Sequence, residues 1–357
     1  MESVSLTLAE GHECTVVTET AEDQPPPGCA FTIERVPSRR RRLALVRSCD
    51  VVHSNGASLA LFAYAKLAGK PFVWTHQGYQ LVSIDGLGWA EGEPAPLTPI
   101  ASLRFHLPRL GIRRGTYEAL KLGLRRAVGF AADRNVAITN WVAQRQPLPR
   151  QMVIYNPFSL ARFKEAASSP LAPRYDFLFV GRLVTEKGVR TLLRALAVLN
   201  GMPGRQPASL LIVGDGPHRG PLETEVAALN LGSQVHFAGK KVGQELIDTI
   251  PLGKIAVVPS EWEEPMGGVA LELMAAGRPI IVSERGGLAE CVARGGWTFP
   301  NGDHEALAKL MGALLDDLEL RQSRAAEARR VVEHFDETGL VGQYLKMYAE
   351  ITRKAGA

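Results

Sequence analysis

Along this chain, short runs of apolar and β-branched residues alternate with stretches whose apolar positions recur every three or four residues, the pattern of strands interleaved with helices. Strands are predicted at 14–18, 31–36, 51–53, 72–75, 136–139 and 152–155, with helices over 59–67 and 101–132 between them. The polar, proline-containing segment KEAASSPLAPR (164–174) then breaks the pattern and reads as a domain boundary. Beyond it the alternation restarts, with strands at 177–180, 210–213, 235–237, 255–258 and 280–282 and helices at 188–199, 221–229, 244–250 and 268–276. Helical periodicity over 304–317, 318–334 and 338–352 closes the chain. Strands that alternate with helices form parallel sheets covered on both faces, so two such series predict two doubly wound α/β domains.

Length agrees, because 357 residues exceed what one hydrophobic core usually holds. A composition of 46% hydrophobic and 22% charged residues excludes a disordered or fibrous chain. No run of 18 apolar residues occurs, and the start lacks the charged and apolar regions of a secretory signal, so a cytoplasmic protein is expected. Cys14, Cys29, Cys49 and Cys291 are scattered without CxxC pairing, which argues against a disulfide framework or a zinc site. Net charge is only +4, so any basic surface must be local. One such surface is 102–126, where Arg104, Arg109, Arg113, Arg114, Lys121, Arg125 and Arg126 stand against a single acid, Glu118. It reads either as a solvated helix face or as a contact with a phosphorylated lipid carrier or, peripherally, with an anionic membrane at its inner face. Nucleic-acid binding is not supported, since no aromatic interleaving accompanies these charges.

The stretch EWEEPMGGVALELMAAGRPIIV (261–282) concentrates the candidate chemistry. Its helix is apolar all round except for Glu272, which marks it as interior. Gly267 and Gly268 open that helix with bare backbone N–H groups, where an anion can bind. Glu264 lies just before the start and Glu272 a turn inside it, so both carboxylates can face one ligand. Glu261 and Glu263 are nearby rivals for the first acid, but only Glu264 stands eight positions before Glu272.

That acid pair around Pro-Met-Gly-Gly resembles the E-x7-E element of family 4 retaining glycosyltransferases. FVGRLVTEKGV (179–189), IVGDGP (212–217), VVPSEW (257–262) and GRPIIVSERGGLAE (277–290) follow the order of that family over about half the chain. The resemblance implies the GT-B architecture of two Rossmann-like domains: an acceptor-side domain over 1–163, a nucleotide-sugar domain over 164–337, and a final helix, 338–357, that crosses back. It also implies retention of anomeric configuration without a metal or other cofactor, with a nucleotide-diphosphate sugar as co-substrate and a glycan, lipid-linked or small-molecule acceptor. Arg182 and Lys187 would neutralise the diphosphate, Glu264 would hold sugar hydroxyls, Glu272 the ribose diol, and Gly181, Gly214, Met266, Gly267, Gly268 and Val269 would line the donor with backbone. His76, at the end of the strand in PFVWTHQGY (71–79), would position the reacting sugar. Tyr79, Trp89, Arg113 and Arg114 are the acceptor-side candidates, Trp89 sitting in the Gly/Pro-rich loop 81–100. His53 reads as structural.

In one respect the pattern departs from the family. VSLTLAEGHECTVVT (4–18) resembles the family's first helix and second strand, so a first strand and glycine-rich loop of about 25 residues are expected to be missing from the first domain. A catalytically silent homologue that binds a nucleotide sugar or a partner subunit is therefore the alternative reading. A nicotinamide-dependent dehydrogenase is disfavoured because no GxGxxG follows a predicted strand. Asp316, Asp317 and Glu319 form no metal-binding DxD element and belong to a solvated helical tail.

Overall fold

The computed structural model describes residues 11–20, 31–56, 59–167 and 171–355. Cys29 and the first part of the 4–18 resemblance lie outside them. The chain divides into two units, one of residues 1–87, 96–159 and 335–357 and one of residues 88–95 and 160–334. The sequence reading drew its boundaries at 163 and 337 and kept 88–95 with the first domain.

In the first unit, β1 (Thr15–Thr18) and β2 (Thr32–Arg35) pair in parallel and lead into α1 (Arg39–Ser48). Ser38 caps that helix by accepting the Arg41 N–H. Then come β3 (Val52–Ser54), α2 (Leu59–Leu67) and β4 (Phe72–His76). A small hairpin of β5 (Trp89–Ala90) and β6 (Glu93–Pro94) belongs to the other unit, and the long α3 (Pro99–Ala131) returns the chain to this one. Gly111 interrupts α3 with a left-handed, non-helical backbone at φ 70°. β7 (Arg134–Ala137), α4 (Asn140–Arg145) and β8 (Gln151–Val153) complete a four-stranded parallel sheet in the order β3-β4-β7-β8, separate from the β1-β2 pair. Alternation along β4 sends Phe72 and Trp74 to one face and Val73 to the other. Val73 packs with Val136, Ile154 and with Leu340, Met347 and Ile351 of the C-terminal helix.

The second unit opens with α5 (Ala161–Ala167), so the predicted linker starts as helix. Next come β9 (Tyr175–Val180), a short 3-10 turn (Thr185–Lys187), α6 (Val189–Asn200), β10 (Leu210–Val213), α7 (Arg219–Ala228), β11 (Val235–Gly239) and α8 (Gln244–Thr249). β12 (Gly253–Val258), α9 (Gly268–Ala275), β13 (Ile280–Ser283), α10 (Gly287–Val292), β14 (Trp297–Phe299), α11 (His304–Asp316) and α12 (Leu318–Glu333) follow. The last helix, α13 (Glu337–Ala355), rejoins the first unit. Six parallel strands run in the order β11-β10-β9-β12-β13-β14. The strand order therefore reverses between β9 and β12, and the loops after those two strands must diverge there, which opens a crevice at their carboxyl ends. No helix among the described residues is long and apolar enough to cross a membrane.

Candidate functional site

The loop after β9 carries Arg182 and Lys187, and the loop after β12 carries Ser260 and Glu264. At the reversal point these loops meet. Gly188, left-handed at φ 66°, permits the approach, because a Cβ there would lie 1.9 Å from the Pro259 carbonyl oxygen. Gly214 does the same for the third loop, since its Cβ would fall 1.8 Å from the Gly181 oxygen.

Lys187 Nζ donates to Glu264 Oε1 at 2.7 Å, and Ser260 Oγ donates to Glu264 Oε2 at 2.5 Å. Both oxygens of this buried carboxylate are thus engaged, as burial demands. The rival acids have other employment: Glu261 accepts from the Thr191 hydroxyl at 2.6 Å, and Glu263 pairs with Arg285 at 2.9 Å. Asn301 ties the surrounding loops together. Its amide donates to the carbonyls of Ser260, Glu261 and Trp262 at 3.1, 3.3 and 3.4 Å, and its oxygen accepts the Arg285 N–H at 3.0 Å. The Gly287 N–H adds a bond to the Glu264 carbonyl at 2.7 Å.

Helix α9 starts at this point with Gly267 as its first boundary residue and no side chain capping it. Met266 and Gly267 are buried behind the start, whereas Gly268 and Val269 are partly accessible. One turn in, the Glu272 carboxyl makes no hydrogen bond or ion pair among the described residues, and burial pushes it up to about 7. An acceptor-rich group without a protein partner is suited to a ligand that brings its own donors. Arg182 is 73% exposed and its nearest acid is Glu186 at 3.8 Å, so its guanidinium is likewise available. Gly181 and Gly214 line the same loops.

Trp89, an acceptor-side candidate in the sequence, lies outside the first domain to which the sequence reading assigned it. It is buried in the hairpin that belongs to the second unit and donates its indole N–H to the Thr185 hydroxyl at 2.9 Å, bracing the turn that presents Lys187. Tyr79 is fully enclosed in the first unit, where only its neighbours can touch it. Arg113 and Arg114 lie on the exposed surface of α3.

In the first unit, His76 ends β4 and is 1% exposed. Asn135 donates through Nδ2 to the carbonyls of Gly129 and Pro149 at 2.8 and 2.9 Å, which leaves its Oδ1 to accept from His76 Nε2 at 2.9 Å. The proton therefore sits on Nε2, and Nδ1 is a lone pair without a protein partner. Burial holds this imidazole down at about 4, so it is neutral at physiological pH. His53 is instead saturated, by Tyr348 at 2.5 Å and Thr75 at 2.7 Å, and burial lowers it to about 4 as well. Sequence reasoning missed Ser260, Asn301, Thr185 and Asn135, whose roles depend on partners that only folding brings near. Among the described residues no group of three or more His, Cys, Asp or Glu is arranged to hold a metal ion.

Two parallel α/β units with a site at the strand-order reversal of the second define the class, and solved structures agree. The chain superposes on a glycosyltransferase from Rickettsia africae with a TM-score of 0.72 at 17% identity, covering 98% of this chain and 93% of that one. On the UDP complex of Anabaena Alr3699/HepE it scores 0.71 at 17% identity over 90% and 86%. The fold is thus that of the GT-B glycosyltransferases. Residues 162–331 match the family described as Glycosyl transferases group 1. Among characterised sequences, the glycogen synthase of Mycobacterium tuberculosis is 36% identical over 188 residues, 52% of this chain and 44% of that protein. The chain spans less than half the length of that relative in the match.

Proposed function

We propose that this protein is a retaining, metal-independent glycosyltransferase that moves a sugar from a nucleotide-diphosphate sugar to a glycan, lipid-linked or small-molecule acceptor. The observation that carries this reading is the meeting of Lys187 and Glu264 at the reversal point of the second sheet, beside an uncapped glycine helix start and an unpartnered Glu272. In this reading Arg182 and Lys187 neutralise the charge that develops on the leaving diphosphate, the main electrostatic contribution. The backbone N–H groups at Gly268 and Val269 receive a phosphate, and Glu272 accepts the two ribose hydroxyls. Glu264 serves sugar hydroxyls rather than attacking the anomeric carbon, because Lys187 and Ser260 already occupy its oxygens. Displacement then proceeds on one face: the acceptor oxygen bonds to the anomeric carbon as the carbon–phosphate-oxygen bond breaks, and the acceptor proton passes to the departing diphosphate.

The test is a thermal-shift screen against UDP-, GDP- and ADP-sugars, with chelator present, UDP first because the Anabaena relative was crystallised with it. A ligand at a hundred times its dissociation constant adds about 2.7 kcal/mol to stability. Stabilisation by one nucleotide class, lost in Glu272→Gln, is the expected result, and NMR of the product anomer then checks retention. Absence of any response would remove the reading.

A further inference from the structure

The second half of α3 has two apolar sides. Gly115, Leu122 and Gly129, seven residues apart, face the interior, where a Cβ on Gly115 would meet Leu107 at 2.7 Å and one on Gly129 would meet Leu81 at 2.6 Å. The opposite side faces solvent, yet it too is hydrophobic. Ile112 is 90% exposed, Leu120 65% and Leu124 58%, with Tyr117 and Phe130 also more than half exposed. Ile112, Leu120 and Leu124 are separated by eight and four residues and Tyr117 precedes Leu120 by three, so these side chains form one stripe. Patches of this kind on a protein surface mark contact sites.

The flanks of the stripe are basic. Arg113 and Arg114 are exposed there and have no ion-pair partner among the described residues, Lys121 pairs with Glu118 at 3.4 Å, and Arg125 and Arg126 are half-buried, Arg126 donating to the Leu81 carbonyl at 3.0 Å. We infer that this face of α3 docks on an anionic lipid bilayer, the helix lying in the interface plane with Ile112, Tyr117, Leu120 and Leu124 inserted among acyl chains and Arg113 and Arg114 among headgroups. Twenty helical residues, Ile112 to Ala131, extend about 30 Å, enough for a continuous contact. A second copy of the chain is the poorer occupant: symmetric pairing would press two faces of the same positive sign together. The inference stands apart from the transferase reading, because it needs no donor and no turnover.

The test is co-sedimentation of the full chain with phosphatidylcholine vesicles, with and without phosphatidylglycerol. Binding is expected to require the anionic lipid and to weaken with salt. Leu120→Ser/Leu124→Ser should lower partitioning by about tenfold or more, and Arg113→Gln/Arg114→Gln by roughly fivefold per arginine. Both variants alter exposed side chains and should keep the wild-type Tm, so lost binding cannot be lost folding. Equal binding to neutral vesicles, no binding to either, or unchanged binding in the variants would overturn the inference. So would concentration-dependent self-association that Leu120→Ser/Leu124→Ser abolishes, which would make the stripe a contact between copies.

Discussion

The two units build parallel α/β sheets from opposite materials. In the second, strands such as LLIV (β10) and IIVS (β13) are almost wholly apolar, the Asp176–Lys254 pair sits at the start of β9 and β12, and the candidate site lies in the loops and helix beyond the strands' carboxyl ends. In the first, polar groups enter the sheet: His53, Thr75, His76 and Asn135 lie on β3, β4 and β7 and satisfy one another through side chains. An apolar sheet tolerates charge at the ends of its strands, whereas a hydrogen-bonded network lets a neutral imidazole sit inside. The difference teaches where each unit is vulnerable.

The largest effect should come from the charges beyond the strand ends of the second unit. Glu272→Gln is expected to lower transfer by on the order of a hundredfold or more with no loss of Tm, since the side chain has no protein partner to lose and Gln carries no buried charge. Lys187→Ala should also abolish transfer, yet it strands the buried Glu264 carboxylate and so should cost about 3 kcal/mol of stability as well. Activity and Tm measured on both variants would break the contrast if they behaved alike.

A pH scan sharpens it next. His53 and His76 are both held at about 4, below the ordinary 6.5, so unfolding takes up protons and the first unit loses stability as pH falls from 6.5 towards 4. Each contributes up to about 1.4 kcal/mol per pH unit in that window. Glu272 is raised from 4.5 to about 7, so its contribution in the second unit runs the other way, present below 4.5 and lost as pH rises through 7. Hydrogen exchange should show β3 and β4 opening on acidification before β9 and β12, and uniform opening would contradict the assignment.

The smallest effect concerns the brace between the hairpin and the Lys187 turn. Trp89→Phe keeps the ring but deletes the indole N–H, which should cost about 1 kcal/mol and raise the donor KM more than it lowers kcat. A change in kcat alone would mean that the hairpin does not set the turn.

Much of the scaffold was legible from periodicity. The helix at 59–67 and the strand at 210–213 are found at the predicted bounds, and the other long elements within a few residues. The hairpin at 89–94 was not, because its two-residue strands carry no alternation and the glycines and Pro94 around it read as loop. Four arginines opening α1 concealed its amphipathic pattern, which only the Ser38 cap announces. Of the candidate site, spacing pointed to Glu264 and Glu272, since both lie on one short segment. Asn135 and Asn301 were silent for the reverse reason: they act on residues 59 and up to 41 positions away, and nothing local distinguishes them from surface asparagines.

The single amide of Asn301 that joins three loops also sets how this protein ages. Asn301 is followed by Gly302, left-handed at φ 78°, and an asparagine before glycine is where the backbone nitrogen most readily closes on the side chain and expels ammonia. The resulting carboxylate would confront the carbonyl oxygens of Ser260, Glu261 and Trp262 with lone pairs instead of donors. A stored preparation would thus accumulate an acidic species in which the segment leading to Glu264 is unclamped, so shelf life is written into one turn.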